Sequence, residues 1–231
     1  MSTLKPQTER AYQAIAFDLD GTLVDSVPDL FNVANLMLES LSLPPVTIDD
    51  VRLWIGDGIE TLVARVLSRD FSVDPNLDPQ VRAKAVSLFL QFYLDNIDQN
   101  SALYPNVAAT LAKLRDSGQK MALVTNKARK YTLLLLKALD IHHTFDIIVC
   151  GDDLSHKKPH PLPMLHILEQ LSLKPSQLLL VGDSKNDLLS AQQAGVDRAF
   201  VTYGYHQGIN PEDYSPKYIL DDFGQLYSVI K

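Results

Sequence analysis

Five short apolar runs limit what this chain can fold into: AIAF (14–17), MALV (121–124), IIVC (147–150), LLLV (178–181) and AFVTY (199–203). Each is too short for a typical helix and unbroken by charge, so both of its faces must be covered. From the second run onward they alternate with stretches of helical spacing: VAATLAKLRDSG, ARKYTLLLLKALD, PLPMLHILEQLSL and NDLLSAQQAG. Gly118 and Gly195 stand where two of these helices should stop. Continuous apolar strands separated by helices predict an open parallel α/β sheet with helices on both faces.

The interval between the first and second runs departs from this rhythm. Residues 27 to 103 offer no convincing strand but several helical patterns, DLFNVANLMLESLSL, IETLVARVLSRD and PQVRAKAVSLFLQFYLDNI. Pro44 and Pro45, and the turn DPNLDP, separate them. The expectation is an α/β core of residues 1–26 and 104–231, Rossmann-like in plan. An all-helical cap domain, 27–103, is inserted after the first strand and hinged near 25–27 and 102–105. No internal repeat or low-complexity segment is visible.

Composition narrows the function. With 46% hydrophobic and 21% charged residues, the chain can bury a sizeable core. A formal net charge of -7 argues against a nucleic-acid partner, which calls for a basic face. The single cysteine, Cys150, excludes a disulfide framework or a cysteine-rich zinc site. No apolar run approaches the roughly 20 residues needed to span a bilayer. The first ten residues, MSTLKPQTER, lack the apolar centre of a secretory leader. The expectation is a soluble, cytoplasmic protein, a monomer or weak homodimer, acting on a small molecule with neither nucleic acid nor membrane as partner.

In open α/β sheets, ligands bind beyond the carboxyl ends of the strands. The first run leads into Asp18 and Asp20, the second into Thr125, Asn126 and Lys127. The third leads into Gly151, Asp152, Asp153 and SHKKPHP, and the fourth into Gly182, Asp183, Ser184, Lys185, Asn186 and Asp187. An Asp-Gly pair after a strand is ordinary turn chemistry, and loops are polar in any fold. Loop polarity does not, however, predict this division into carboxylates, a hydroxyl–amide pair and a lysine before proline. Carboxylates gathered at one sheet edge repel unless a cation joins them, and hard oxygen ligands suit Mg²⁺. Such a cation beside lysine, hydroxyl and backbone N–H donors is what phosphoryl transfer requires. The chain has no Walker A sequence, no G-x-S-x-G elbow and no H-E-x-x-H. A carboxylate is the nucleophile that remains, attacking phosphorus to form an aspartyl phosphate.

The segments DLDGTLVDS, LVTNK, KKPHP and VGDSKND, in this order and spacing, resemble the four motifs of the haloacid dehalogenase superfamily of aspartate-nucleophile phosphatases. Within it, WIGDG (54–58), CGDDLSHKKPHP (150–161) and VTYGY (201–205) resemble segments of the bacterial phosphoglycolate phosphatases, with Cys150 where a glycine is usual. The resemblance implies Mg²⁺-dependent hydrolysis of 2-phosphoglycolate to glycolate and phosphate, and it implies a role for each motif residue. Asp18 is then nucleophile and metal ligand. Asp20 protonates the leaving alkoxide, deprotonates the hydrolytic water and offers its backbone carbonyl to the metal. Thr125 and the Asn126 region hold phosphate oxygens, and Lys158 balances charge on phosphate and nucleophile. Asp183 is the further metal ligand, and Asp187 positions the site. Gly21 permits the turn toward the cap.

Other chemistries fit less well. Dehalogenases lack an acid/base at the second aspartate, which is present here as Asp20. Residues 27 to 60 hold no lysine for a Schiff base, and residues 27 to 103 no histidine for mutase chemistry. The same chemistry on a sugar phosphate, nucleotide or pyrophosphate stays open. A phospho-accepting receiver domain shares the residue types but is far shorter and needs no helical lid. Asp25, Asp152 and Asp153 read as turn or supporting groups, His142 and His143 as surface residues, and Lys127 and Lys185 as exposed lysines. The WIGDG turn faces the substrate or simply caps a helix, and Arg52 is a surface residue or a charged helper.

Overall fold

The computed structural model describes residues 12–230; the reading of the first ten residues lies outside them. In chain order the elements are β1 (Ala14–Phe17), β2 (Val24–Asp25), α1 (Val27–Ser40), α2 (Ile48–Trp54), α3 (Ile59–Ser68), α4 (Pro79–Asn96) and β3 (Ala102–Leu103). Next come α5 (Val107–Asp116), β4 (Lys120–Val124), α6 (Arg129–Ala138), β5 (Ile147–Val149) and α7 (Leu162–Leu171). The chain closes with β6 (Leu178–Gly182), α8 (Lys185–Gln193), β7 (Asp197–Val201), β8 (Tyr218–Leu220) and α9 (Leu226–Val229).

The main sheet has six strands in the order β5-β4-β1-β6-β7-β8, all parallel. Side chains alternate across a strand, so each strand feeds two cores. Ile15, Phe17, Met121, Leu123, Leu179 and Val181 enter the larger apolar cluster. Ala14, Ala16, Ala122, Val124, Leu178 and Leu180 enter the smaller one, against Met164, Ile167 and Ala191. Every residue of β1 is fully buried, as a central parallel strand demands. Its register pairs Phe17 with Leu123 on one side and Val181 on the other, so three strands end level. The segments leaving these three strands therefore meet at one edge.

Helices α1 to α4 pack on one another, α1 against α2 and α4, and α3 against α2 and α4. Thr47 starts α2 through a reciprocal capping box with Asp50. The two connections into this helical insert run side by side as an antiparallel ribbon, Val24 opposite Leu103 and Asp25 opposite Ala102. Asp29, fully buried in the first turn of α1, accepts the backbone N–H groups of Asn100 and Ser101, each at 2.8 Å. Among the described residues no helix is long and apolar enough to cross a membrane.

Candidate active site

The level strand ends place the polar residues in space. The N–H of Asp18 still donates to Val181 O at 3.0 Å, and that of Thr125 to Val149 O at 3.0 Å, so both leave the sheet in register. Asp183 succeeds β6 directly, and Ser184 caps α8 in a reciprocal box with Asp187, which holds Asp187 in the first turn. Lys158 arrives from the long loop after β5 and is buried to 3% exposure. Its Nζ donates to Asp18 Oδ1 at 2.7 Å, Asp187 Oδ1 at 2.6 Å and Val124 O at 2.8 Å, which uses all three of its hydrogens.

Asp18, Asp183 and Asp187 each bring a carboxylate oxygen within 4.8 Å of the others. Asp183 is fixed by the Tyr205 N–H on Oδ2 at 2.7 Å and the Thr22 hydroxyl on Oδ1 at 3.0 Å. Space around it comes from glycines: a Cβ at Gly21 or Gly204 would fall on the Asp183 side chain. Gly21 also has φ +93, which favours glycine there. Burial pushes the Asp18 carboxyl up to about 7, with Asp187 and Asp20 adding to the rise and Lys158 opposing it. Asp183 is raised well above the ordinary carboxylate range by burial and by Asp18 and Asp187. Lys158 is drawn down by burial, but Asp18 and Asp187 outweigh this and hold it above the usual lysine value.

Buried carboxylates that raise one another's affinity for a proton have the same reason to take a cation. The donors are all oxygen, which fits a hard divalent ion. Asp187 already spends one oxygen on Lys158 and the other on Ser184, leaving Asp18 and Asp183 as the better donors. The other group of potential ligands found among the described residues, Asp140 with His142 and His143, is exposed.

Asp20 lies beside this cluster, not in it. Its carboxylate accepts from Lys127 Nζ at 2.8 and 2.9 Å and from the Ser26 hydroxyl at 2.6 Å. Thr125 is buried on the pocket wall, and its hydroxyl accepts the Lys127 N–H at 3.1 Å. The Asn126 side-chain amide donates to Gly56 O and Lys158 O, both at 3.0 Å. This clips the α2–α3 turn to the Lys158 loop and leaves the backbone N–H as the donor Asn126 can offer an anion.

The WIGDG turn does face the pocket, through Ile55, Gly56 and Gly58. Core side chains donate to its carbonyls: Asn126 and Asn186 to Gly56 O, Lys157 to Asp57 O at 2.6 Å, and Gln207 to Ile55 O. Arg52 instead pairs with Asp49 on the surface at 2.7 Å. Asp152 and Asp153 bind Arg129, and His142 and His143 are exposed, as their sequence context suggests.

Lys127 is a different matter from its sequence reading as an exposed lysine. Its side chain is 4% exposed and held by Asp20. Its position between the Thr125–Asn126 pair and a helix start was the available signal. Tyr205, which joins Asp183 to the entry of α1, also escaped the sequence reading, although it lies in the TYGY segment.

Buried carboxylates gripped by a buried lysine at the carboxyl end of a parallel α/β sheet are an arrangement that suits the hydrolysis of phosphate monoesters. A signature of haloacid dehalogenase-like hydrolases matches residues 15–201, and the chain belongs to that family. It is 41% identical over 221 residues to a phosphoglycolate phosphatase of Vibrio cholerae, covering 96% of this chain and 98% of the relative. A phosphoglycolate phosphatase of Aliivibrio fischeri is 40% identical, with 94% and 95% covered. The crystal structure of a predicted phosphoglycolate phosphatase from Haemophilus somnus superposes with a TM-score of 0.89 at 35% identity, covering 96% of this chain and 99% of that one.

Proposed function

We propose that this protein is a Mg²⁺-dependent phosphomonoesterase that hydrolyses 2-phosphoglycolate through an aspartyl phosphate on Asp18. The observation that carries the reading is the buried Asp18 gripped by Lys158 with Asp183 in reach, and with Asp20 two residues on beside the same pocket. Asp18 and Asp183 are the side chains that would hold the metal, with the Asp20 backbone carbonyl as a further ligand. Bound there, Mg²⁺ supplies positive charge that neutralises the carboxylates and polarises the phosphoryl oxygens.

The chain's own residues supply the rest. Lys158 orients Asp18 toward phosphorus and offsets its charge, and Asp187 keeps Lys158 in place. The Thr125 hydroxyl and nearby backbone N–H groups bind phosphoryl oxygens. Asp20 in its protonated form would protonate the leaving oxygen. The carboxylate left behind, the form that Lys127 and Ser26 hydrogen-bond here, would then take a proton from the water that attacks the aspartyl phosphate.

Residues 27–103 act as a cap that closes over the site during this chemistry, and the core donors on Ile55, Gly56 and Asp57 are the latch. The same turn forms one wall of the pocket opposite Asp18, Thr125 and Asp183, so the part of the substrate beyond the phosphoryl group meets the cap there. The near full-length likeness to phosphoglycolate phosphatases supports the same substrate. The test is kcat/KM with Mg²⁺ on 2-phosphoglycolate, glucose phosphates, nucleoside monophosphates and pyrophosphate. Phosphoglycolate should lead. A tenfold advantage for any other, about 1.4 kcal/mol of transition-state preference, reassigns the substrate within the family.

A further inference from the structure

Lys158 and Lys127 are the lysines on the pocket wall, and they are spent differently. Lys158 sends its three hydrogens to three separate acceptors. Lys127 has one carboxylate, Asp20, as its acceptor, through both oxygens. The rest of its ammonium faces Tyr93 of α4, 5.4 Å from the ring centroid. The Tyr93 hydroxyl is fully buried and has no hydrogen-bond partner among the described residues. A buried ammonium and a buried phenol that interact with one another therefore lie together, next to the residue that serves the leaving oxygen. The arginines of this region are committed: Arg65 to Trp54 O, Phe71 O and Asp57, and Arg52 to Asp49.

We propose that Lys127 is the specificity residue that binds the substrate's carboxylate, an inference that rests on the phosphoglycolate reading above. In a two-carbon phospho-acid the carboxylate is attached to the carbon that carries the leaving oxygen. Asp20 must reach that oxygen, so a cation hydrogen-bonded to Asp20 is within contact of the carboxylate. A charge-assisted hydrogen bond from a buried ammonium is strong, and a site built around it rejects an analogue that lacks the partner. The rest of the wall near α1 and α3, Leu30, Ile59 and Leu62, is apolar and offers no competing donor from its side chains. The alternative seats are the backbone at the start of α3, at Gly58 and Ile59, and His206, which also line the pocket.

The test compares 2-phosphoglycolate with ethyl phosphate, which keeps the skeleton and replaces the carboxylate by a methyl group. The readout is the ratio of the two kcat/KM values in wild type, Lys127→Gln and Lys127→Arg. We expect Lys127→Gln to lower the ratio by at least about tenfold and Lys127→Arg to recover most of it. An unchanged ratio, with both substrates slowed by one factor, overturns the assignment and leaves Lys127 as a support for Asp20. A wild-type enzyme without preference for phosphoglycolate removes the substrate reading itself, and this proposal with it. A second measurement does not depend on the folding of Lys127→Gln. In Asp18→Asn protein with Mg²⁺ and ¹⁵N-labelled lysine, the Lys127 ammonium signal should move with phosphoglycolate and not with ethyl phosphate. Equal responses contradict the proposal.

Discussion

The hydroxyl of Tyr205 accepts the backbone N–H of Ser26 at 2.8 Å. It also accepts the Val27 N–H at 3.2 Å, while the Tyr205 backbone N–H donates to Asp183 at 2.7 Å. One residue thus caps the start of the helical insert and fixes a carboxylate of the site. Helix starts leave N–H groups without intrahelical partners, and Ser26 makes no side-chain cap of its own for α1. Tyr205→Phe removes the hydroxyl and spares the backbone contact to Asp183. It should cost about 1–3 kcal/mol, seen as a lower Tm, with faster hydrogen exchange at residues 26–30. Unchanged exchange there would show that the phenol does not hold the entry to the insert.

Gly204 lies where any side chain would strike the Cβ and carboxylate of Asp183. Gly204→Ala should displace that carboxylate, at an overpacking cost of about 1–3 kcal/mol. The specific effect is on the metal: the Mg²⁺ concentration for half-maximal activity should rise at least about tenfold. A variant with normal Mg²⁺ dependence and only a lower Tm would place Asp183 outside the metal site.

The raised Asp18 gives a pH dependence of defined sign. The carboxyl titrates at 3.8 when unperturbed and at about 7 in the fold, so between these values the folded protein binds the additional proton. Asp18's contribution to stability therefore falls as pH rises from about 4 to about 7, and levels off above. Mg²⁺ competes with this proton, so the Tm gained on adding it should be larger at about pH 8 than at about pH 5. Thermal unfolding with chelator and with Mg²⁺ measures the difference directly. An equal gain at both pH values would mean that the ion does not replace a proton on the cluster.

Burial decides how much of this architecture is legible in the sequence. The central strands stand out because a strand covered on both faces has no polar interruption; β1 matches AIAF residue for residue. At the sheet edge this signal fades: β8 is three residues long with Ile219 exposed, and its run YIL is too short to stand out. Helix α2 spans seven residues, too few for periodicity to register, although its Thr47–Asp50 cap is in plain view. The ribbon of β2 and β3 is two residues a side, below any pattern. Asp18, Asp183 and Thr125 are legible because position after a strand fixes where a residue lies. Lys127 is not, because a buried and a solvated lysine are spelled alike. Nor is the direction of the Asn126 amide, which depends on Gly56, 70 positions away.

The central claim is that Asp18 is the nucleophile, and one substitution tests it most directly. Asp18→Asn keeps the shape of the side chain but removes the charge that attacks phosphorus and binds the cation. The measurement is kcat on 2-phosphoglycolate at saturating Mg²⁺, with circular dichroism verifying the fold. The account predicts a loss of at least about a thousandfold, roughly 4 kcal/mol of transition-state stabilisation. A folded Asp18→Asn protein that retains a tenth of wild-type turnover would contradict it.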